Sequence, residues 1–344
     1  MPLDSATLGT PVEVANISKE LKKLWSADQT RTRATLFNFA IVCQGGDAMR
    51  DNTDLLARFV GTHAFRALLI GFDPAAEDSK VDAWVNANCY LPKAGAKHVC
   101  SEQVSLFIHG DPRSRLPNLL FAQLDYDLPL TLWWRGTDVG HMNPEVWRWV
   151  DRLIFDSTAW PAPREPISAI RHQLGTHRTV LCDLAWTRTL HLRQSLAQMF
   201  DLPEHAAALN SLTTIRITHA PGARTVAALL LGWFSAQLGW YAHGQGASHI
   251  RFTGDKGDIL CHLTEAPGAT ISRVVLDAGA ITITAERRPE TTFLHIVVAE
   301  PGRSTEHIMP ADSDAIHQLL DEELAGGGRH RVYLKALAAA EPLL

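Results

Sequence analysis

Polar residues embedded in apolar segments are the positions of this chain whose types and spacing could do chemistry. Glu102 stands in Cys100–Ser101–Glu102–Gln103, at the entrance to an alternating apolar run. Arg135 ends the run Trp133–Trp134–Arg135–Gly136. Asp156 and Ser157 end a second run, and Asp183 opens Asp183–Leu184–Ala185–Trp186–Thr187–Arg188. Ligands in open α/β sheets collect at the carboxyl ends of strands, so Arg135, Asp156, Ser157 and Glu102 could line one crevice. A guanidinium binds phosphate in two-pronged fashion, which would let Arg135 and Arg188 clamp a sugar phosphate with Glu102 or Asp156 as acid or base. The competing arrangement makes Arg135, Arg188, Glu102, Asp156 and Asp183 ion pairs that satisfy one another beneath the tryptophans. With the flanking indoles, the candidate ligand or interface crevice is Glu102, Trp133, Trp134, Arg135, Asp156, Ser157, Asp183, Trp186 and Arg188.

Other chemistries need patterns that the sequence lacks. A dinucleotide fingerprint sets three glycines between a strand and a helix, so that backbone N–H groups meet the phosphates. The nearest glycine cluster, Gly244–Gln245–Gly246, follows a helical segment and has His249 at the third position. Neither a GxxxxGK[ST] phosphate loop nor a GxSxG serine elbow occurs. His172 and His177 are five apart, which does not stack two zinc ligands on one helical face, and no HExxH is present. Catalytic, cofactor-binding and metal-ligating residues are therefore not expected.

The function classes that remain are binding ones. A net charge of −5 with a pI near 6.3 gives no general attraction to nucleic acid or to an anionic membrane. The N-terminus lacks a basic segment followed by an apolar stretch, and the longest apolar run, residues 226–240, is too short and too interrupted to span a bilayer. Five cysteines without a CxxC pair suit a reducing compartment, so a cytoplasmic protein is expected. Most of the ten tryptophans, Trp186 and Trp233 included, are expected in the core, but not all are easily buried. Trp25, Trp84 and the pair Trp147/Trp149 are the candidates for partner anchors, because a large amphipathic ring buries area at low entropy cost.

These residues need elements to hold them. An amphipathic helix is expected over residues 11–26, with Ile17, Leu21, Leu24 and Trp25 on one face. Apolar runs at 34–43 and 65–72, with helical spacing at 51–63 between them, read as a βαβ unit and so as a parallel pair. Alternation at 81–90 and 103–109, joined through Pro92, Lys93 and Gly95, adds antiparallel strands. Helices follow at 116–124 and 144–151, and strands at 128–134 and 153–156. Pro161, Pro163 and Pro166 mark a boundary. Beyond it lie helices at 167–174, 190–200 and 223–240, a strand at 211–219, and short strands at 248–309 separated by turn signals about every ten residues, an antiparallel meander. Helices at 313–324 and 331–340 close the chain. The expected class is α/β, a mixed sheet with a βαβ N-terminal half followed by an α+β half. Its parts are an N-terminal helix and linker (residues 1–33), a mixed α/β domain (34–162) and an α+β domain (163–344).

The same segments resemble the OpcA family of glucose-6-phosphate dehydrogenase assembly proteins. The resemblance runs through VANISKELKKLW (14–25), TRATLFNFAIVC (32–43), HAFRALLIG (63–71), CSEQVSL (100–106), LPLTLWWRG (128–136), VDRLIFDS (150–157), DLAWTR (183–188) and ALLLGWFSAQLGW (228–240). It implies an α/β protein, without catalysis of its own, that associates with glucose-6-phosphate dehydrogenase and promotes its assembly or active state in the oxidative pentose phosphate pathway. The chain departs from the family at His63–Ala64–Phe65–Arg66, where relatives carry His-Pro, then Ser or Cys, then Arg. If redox control in relatives uses cysteines there, Phe65 removes it, and Cys89 with Cys100, facing across the expected hairpin, is the remaining redox pair.

Overall fold

The run Phe37–Gln44 is buried at every position from Asn38 to Cys43, the signature of a strand covered on both faces, and the first half of the structure is built outward from it. The computed structural model describes residues 8–26, 31–33, 35–90, 98–136, 139, 142–174, 178–201, 203–245, 249–288, 291–326 and 331–344. It divides into two units, the first comprising Met1–Phe155, Ser168–Cys182 and Glu323–Gly328, the second Asp156–Ile167, Asp183–Glu322 and Arg329–Leu344.

The first sheet has nine strands: β1 (Thr10–Val12), β2 (Arg31–Arg33), β3 (Phe37–Gln44), β4 (Phe65–Asp73), β5 (Val81–Tyr90), β6 (His98–His109), β7 (Leu130–Arg135), β8 (Val150–Phe155) and β9 (Val180–Asp183). Their order is β1-β5-β6-β4-β3-β7-β8-β9, with β2 paired to β6. β3 is parallel to both β4 and β7, β4 to β6, and β7 to β8, while β5 and β1 add an antiparallel margin. Between β3 and β4 runs the helix Gly46–Phe59, which buries Met49, Leu55, Leu56 and Phe59. It starts five residues before the expected 51, because Gly45 takes φ 87° to turn the chain out of β3. The helix Ile17–Ser26 lays Ile17 and Leu21 on Ala83, Val85, Val104 and Leu106. Expected helix 144–151 is a single turn, Pro144–Trp147, since Val150 pairs with Leu130 and the rest becomes β8. Trp84 is buried together with Ala83 and Val85, so that stretch of β5 is covered on both faces rather than half-buried. The turn through Pro92, Lys93 and Gly95 lies outside the described residues.

The second unit carries an eight-stranded sheet: β10 (Thr214–His219), β11 (Tyr241–Gln245), β12 (Ile250–Gly254), β13 (Gly257–Glu265), β14 (Ile271–Ala278), β15 (Ile281–Arg287), β16 (Phe293–Glu300) and β17 (Arg303–Pro310). Its order, β11-β12-β13-β10-β14-β15-β16-β17, is an antiparallel meander with β10 inserted, parallel to β13 and antiparallel to β14. Ile215, Ile217, Val274, Leu276, Ile283, Ala285, Ile296 and Val298 are buried. Alternation with Arg216, Thr282 and Thr284 is what a sheet with one covered face requires. The helix Arg224–Leu238 is buried over most of its circumference and ends at Gly239 in the left-handed conformation. It packs against the helix Arg331–Ala340.

Candidate functional site

In the second unit, Asp183 is the buried centre of a polar knot. It caps the helical turn Leu184–Thr187 by accepting from Ala185 N–H (3.0 Å), and it also accepts from Ser157 N–H (3.0 Å), Ser157 Oγ (2.6 Å) and Tyr333 Oη (3.2 Å). Burial pushes its carboxyl up to about 6, against the pull of the Ser157 hydrogen bonds. Asp156 accepts from Thr158 N–H (3.1 Å) and Thr158 Oγ1 (2.6 Å), and holds Arg188 in a two-pronged pair at 2.9 and 2.8 Å. The Arg193 guanidinium lies 3.3 Å from the centre of the Trp186 ring, whose other neighbour is Tyr333. Among the described residues, Asp156 is matched by Arg188 and Asp183 by four neutral donors, which ties the group together as a hydrogen-bonded structural knot.

In the first unit, Glu102 and Arg135 are held apart. Glu102, level with Arg66 near the amino end of β4, accepts from Trp25 Nε1 at 2.5 Å and lies 3.5 Å from Arg66, fastening the first helix to the sheet. Arg135 ends β7 at the opposite end of the strands, level with Cys43. Its guanidinium donates to Asn52 Oδ1 (2.8 Å) and sits 4.9 Å from the centre of the buried Trp133 ring; Trp134 is buried as well. The single crevice containing both Glu102 and Arg135 is therefore corrected. Parallel register places the two residues about five rungs of ~3.3 Å apart along the sheet.

Cys89 and Cys100 are opposite one another in the β5–β6 ladder and form a disulfide. Cys43, Cys182 and Cys261 are free and buried. Reducing the bond should release a loop with a sequence separation of 11 and lower stability by about 3 kcal/mol on the chain-entropy model. The check is thermal melting with and without dithiothreitol, alongside thiol titration of the unfolded protein. Equal melting of the wild type and a Cys89→Ser/Cys100→Ser variant would refute it.

The amino ends of the same strands carry exposed apolar side chains: Leu36 before β3, Tyr126 before β7 and Trp149 before β8. Trp149 rests on Phe121, with ring centres 5.2 Å apart. The loop bearing Tyr126 is clamped by buried Asn38, which donates to Asp125 O and Leu128 O and accepts from Asp125 N–H. Of the tryptophans proposed as anchors, Trp84 and Trp147 are buried and Trp25 half-buried, which leaves Trp149 on the surface.

The chain leaves β3 toward β4 and later returns to β7 on the other side, so the carboxyl ends of β3 and β7 flank the switch point at which such sheets hold dinucleotides. Gly45 and Gly46 stand there, between strand and helix, a glycine pair that a search for the full three-glycine pattern passed over. Cys43, two residues before Gly45, is buried, and burial pushes its thiol up to about 11. Asp47 lies in the first turn of the following helix and pairs with Arg50.

Two family models account for most of the chain. Residues 58–172 match the N-terminal domain of the glucose-6-phosphate dehydrogenase subunit, and residues 179–337 match the C-terminal domain of the same glucose-6-phosphate dehydrogenase subunit. The chain belongs to the OpcA family. A curated relative from Nostoc punctiforme, described as an OxPP cycle protein OpcA, is 24% identical over 242 residues, 67% of this chain and 52% of the relative. The chain thus spans about half the length of that OpcA protein. Among solved structures, the 3-ketoreductase KijD10 of Actinomadura kijaniata with TDP-benzene and NADP aligns at TM-score 0.52 and 10% identity, over 89% of this chain and 95% of that one. Biliverdin reductase of Synechocystis with biliverdin and NADP+ aligns at TM-score 0.50 and 10% identity, over 90% and 98%. At such identity the likeness is one of fold, a Rossmann-type sheet. The switch-point residues of this OpcA chain do not fit the dinucleotide that the fold suggests. Cys43 stands where the first glycine makes the tight turn, and pyrophosphate would meet the Asp47 carboxylate in the first helical turn. No hydride step is assigned to the chain. Among the described residues, no helix is long and apolar enough to cross a membrane, and no cluster of potential metal ligands occurs.

Proposed function

We propose that the chain is a non-catalytic assembly factor and allosteric activator that binds glucose-6-phosphate dehydrogenase in the cytoplasm and serves the oxidative pentose phosphate pathway. The observation that carries this is the pair of family matches, N-terminal domain then C-terminal domain of one dehydrogenase-associated family, over residues 58–172 and 179–337. The paired state of Asp156, Asp183 and Arg188 supports a scaffold over a catalyst. Activation requires tighter binding to the active oligomer than to the inactive form, since equal affinity shifts nothing. Docking uses Leu36, Tyr126 and Trp149. An aromatic ring displayed on a loop pinned by Asn38 loses little entropy on binding. The exposed carboxylates of Asp127 and Asp151 beside these rings call for basic residues around the matching pocket of the dehydrogenase. The Cys89–Cys100 bond supports thiol control of the encounter, as cytosolic disulfides are usually transient and regulatory.

The test is the kinetics of the host's glucose-6-phosphate dehydrogenase titrated with this protein, with light scattering on the same samples. A saturable rise in kcat or fall in KM that tracks a larger complex is expected. Tyr126→Ala with Trp149→Ala should weaken the complex by roughly tenfold or more, and dithiothreitol should change its affinity. No complex and no kinetic effect at micromolar excess would sink the assembly reading. Unchanged affinity of the double variant would sink the docking surface, and equal binding by reduced and oxidised protein the redox control. One observation favours a second reading, a sugar-phosphate enzyme or sensor: Arg135 is exposed at a strand's carboxyl end and aimed by Asn52. Glucose 6-phosphate binding abolished by Arg135→Ala would establish it.

A further inference from the structure

A strand at the margin of a sheet turns half of its backbone N–H and C=O groups outward, a template for another strand unless something blunts it. Most marginal strands among the described residues are blunted. β1 and β2 are three residues long, β9 is four and mostly buried, and β11 is five with a break in register between Ala242 and Gln245. β17 is the exception. It runs for eight residues, pairs with β16 at every one of them without a bulge, and carries no lysine. It ends the strand order, and among the described residues no strand lies along its other side. Its one proline, Pro310, stands at the last position.

The hairpin fixes which groups point outward. Glu300 and Arg303 face each other across the two-residue turn Pro301–Gly302, with Gly302 at φ 78°. The pair flanking such a turn is hydrogen-bonded, and bonded and unbonded pairs then alternate along the ladder. Arg303, Thr305, His307 and Met309 therefore direct their backbone groups to β16, while Ser304, Glu306 and Ile308 direct theirs to the free edge. The side chains of Ser304, Glu306, Ile308 and Pro310 share one face of the sheet, opposite the buried Leu294, Ile296 and Val298. On that face Ile308 is 62% exposed and Phe293, which pairs with Pro310, is 52% exposed, so the strand ends in an apolar corner. Glu306 is matched within the hairpin region by Arg288 (2.8 Å) and His295 (3.0 Å).

We propose that β17 is a self-association edge: two copies of this chain pair β17 to β17, antiparallel, about a twofold axis perpendicular to the sheet and centred on Ile308. A twofold contact uses the same edge on both copies and closes, so no edge is left for a third. In this register Ile308 faces the partner's Ile308, and the two exchange both N–H···O bonds. Glu306 faces the partner's Pro310 and donates its N–H to that carbonyl, a position where proline's missing N–H is tolerated. Centring the axis on Glu306 instead would set two carboxylates directly opposite, which is destabilising. Centring on Ile308 separates them by four residues, about 13 Å along the strands, beyond the ~8 Å screening length at physiological salt. This self-complementarity is what selects a second copy over a foreign strand. Four interstrand bonds and one apolar pair make a small interface, so a dissociation constant on the order of micromolar is expected. The edge lies in the second unit, away from Tyr126 and Trp149 of the first, and the pairing does not depend on the dehydrogenase.

The experiment is sedimentation velocity of the full chain over a concentration series spanning about 1 to 100 µM. A reversible shift from 37.9 kDa to twice that mass, with nothing larger, is expected. Ile308→Lys brings two ammonium groups together on the axis and should weaken the dimer by about tenfold or more. Ile308 is exposed, so this variant should melt like the wild type, which circular dichroism checks. Position is read by cysteine crosslinking. Ile308→Cys should give a covalent dimer on mild oxidation with diamide, since bonded pairs hold their Cα atoms at about 5.5 Å, within disulfide reach. Ser304→Cys, on the same edge but eight residues from its counterpart, should give none. A monomer throughout, growth beyond the dimer, a dimer indifferent to Ile308→Lys, or equal crosslinking at both positions would overturn the proposal. A monomer whose binding to glucose-6-phosphate dehydrogenase is lost with Ile308→Lys would overturn it in favour of a foreign strand on this edge.

Discussion

Gly232→Ala is expected to destabilise the second unit by about 3 kcal/mol or more, at the upper end of the range for overpacking a core. A Cβ on Gly232 would lie 2.3 Å from Ala336 O, 2.7 Å from Ala340 Cβ and 2.9 Å from Ala340 N. Two of those atoms are backbone, so no side-chain rotation relieves the clash and the helices Arg224–Leu238 and Arg331–Ala340 must separate. Separation would disturb Tyr333, which lies on the second of these helices and donates to Asp183. The change should therefore be cooperative, lowering the melting temperature and near-ultraviolet dichroism together. Gly239→Ala is the control. Gly239 has φ 68° with nothing within 4 Å of a Cβ, so only the backbone penalty of about 1–2 kcal/mol applies. Equal losses for the two variants would show that close helix contact is not what Gly232 provides.

The difference between these glycines marks what a sequence can and cannot reveal. β3 and β4 were legible because strands covered on both faces read as unbroken apolar runs, and the meander because its turns carry Gly and Pro. The insertion of β10 between β13 and β14 was not legible, since pairing partners are fixed by tertiary packing and leave no local mark. β9, four residues long, fell below the length at which alternation can be recognised. At the candidate site, Asp156, Asp183 and Arg188 stood out as charges in apolar surroundings, and two of them pair. Their other partners come from far along the chain, Tyr333 being 150 residues from Asp183, and Asn52 83 residues from Arg135.

Asp183 should also give the chain a measurable pH dependence of stability. Its carboxyl moves from the ordinary 3.8 to about 6 on folding because it is buried, so between those values the native state holds the proton more firmly than the unfolded state. Stability from this group is then fully present below about pH 4 and falls as pH rises through 6. The total is about 3 kcal/mol for a shift of roughly two units at 1.36 kcal/mol each. Above pH 6 the ionised carboxylate is retained because Ser157, Ala185 and Tyr333 donate to it. Asp183→Asn keeps an acceptor and cannot ionise, so its stability should lack this component. Urea unfolding of wild type and variant from pH 4 to 7.5 isolates the group, since the other titrations cancel in the difference. The variant's deficit should be largest at pH 4 and shrink by about 3 kcal/mol by pH 7. Parallel curves would mean that Asp183 titrates alike in both states, and that the four donors around it fully offset its burial. Asp183→Ala strands the Ser157 and Ala185 amides with no acceptor and should cost about 3–5 kcal/mol at pH 7; it too cannot ionise, so its deficit should be larger at pH 4 by the same amount as for Asp183→Asn.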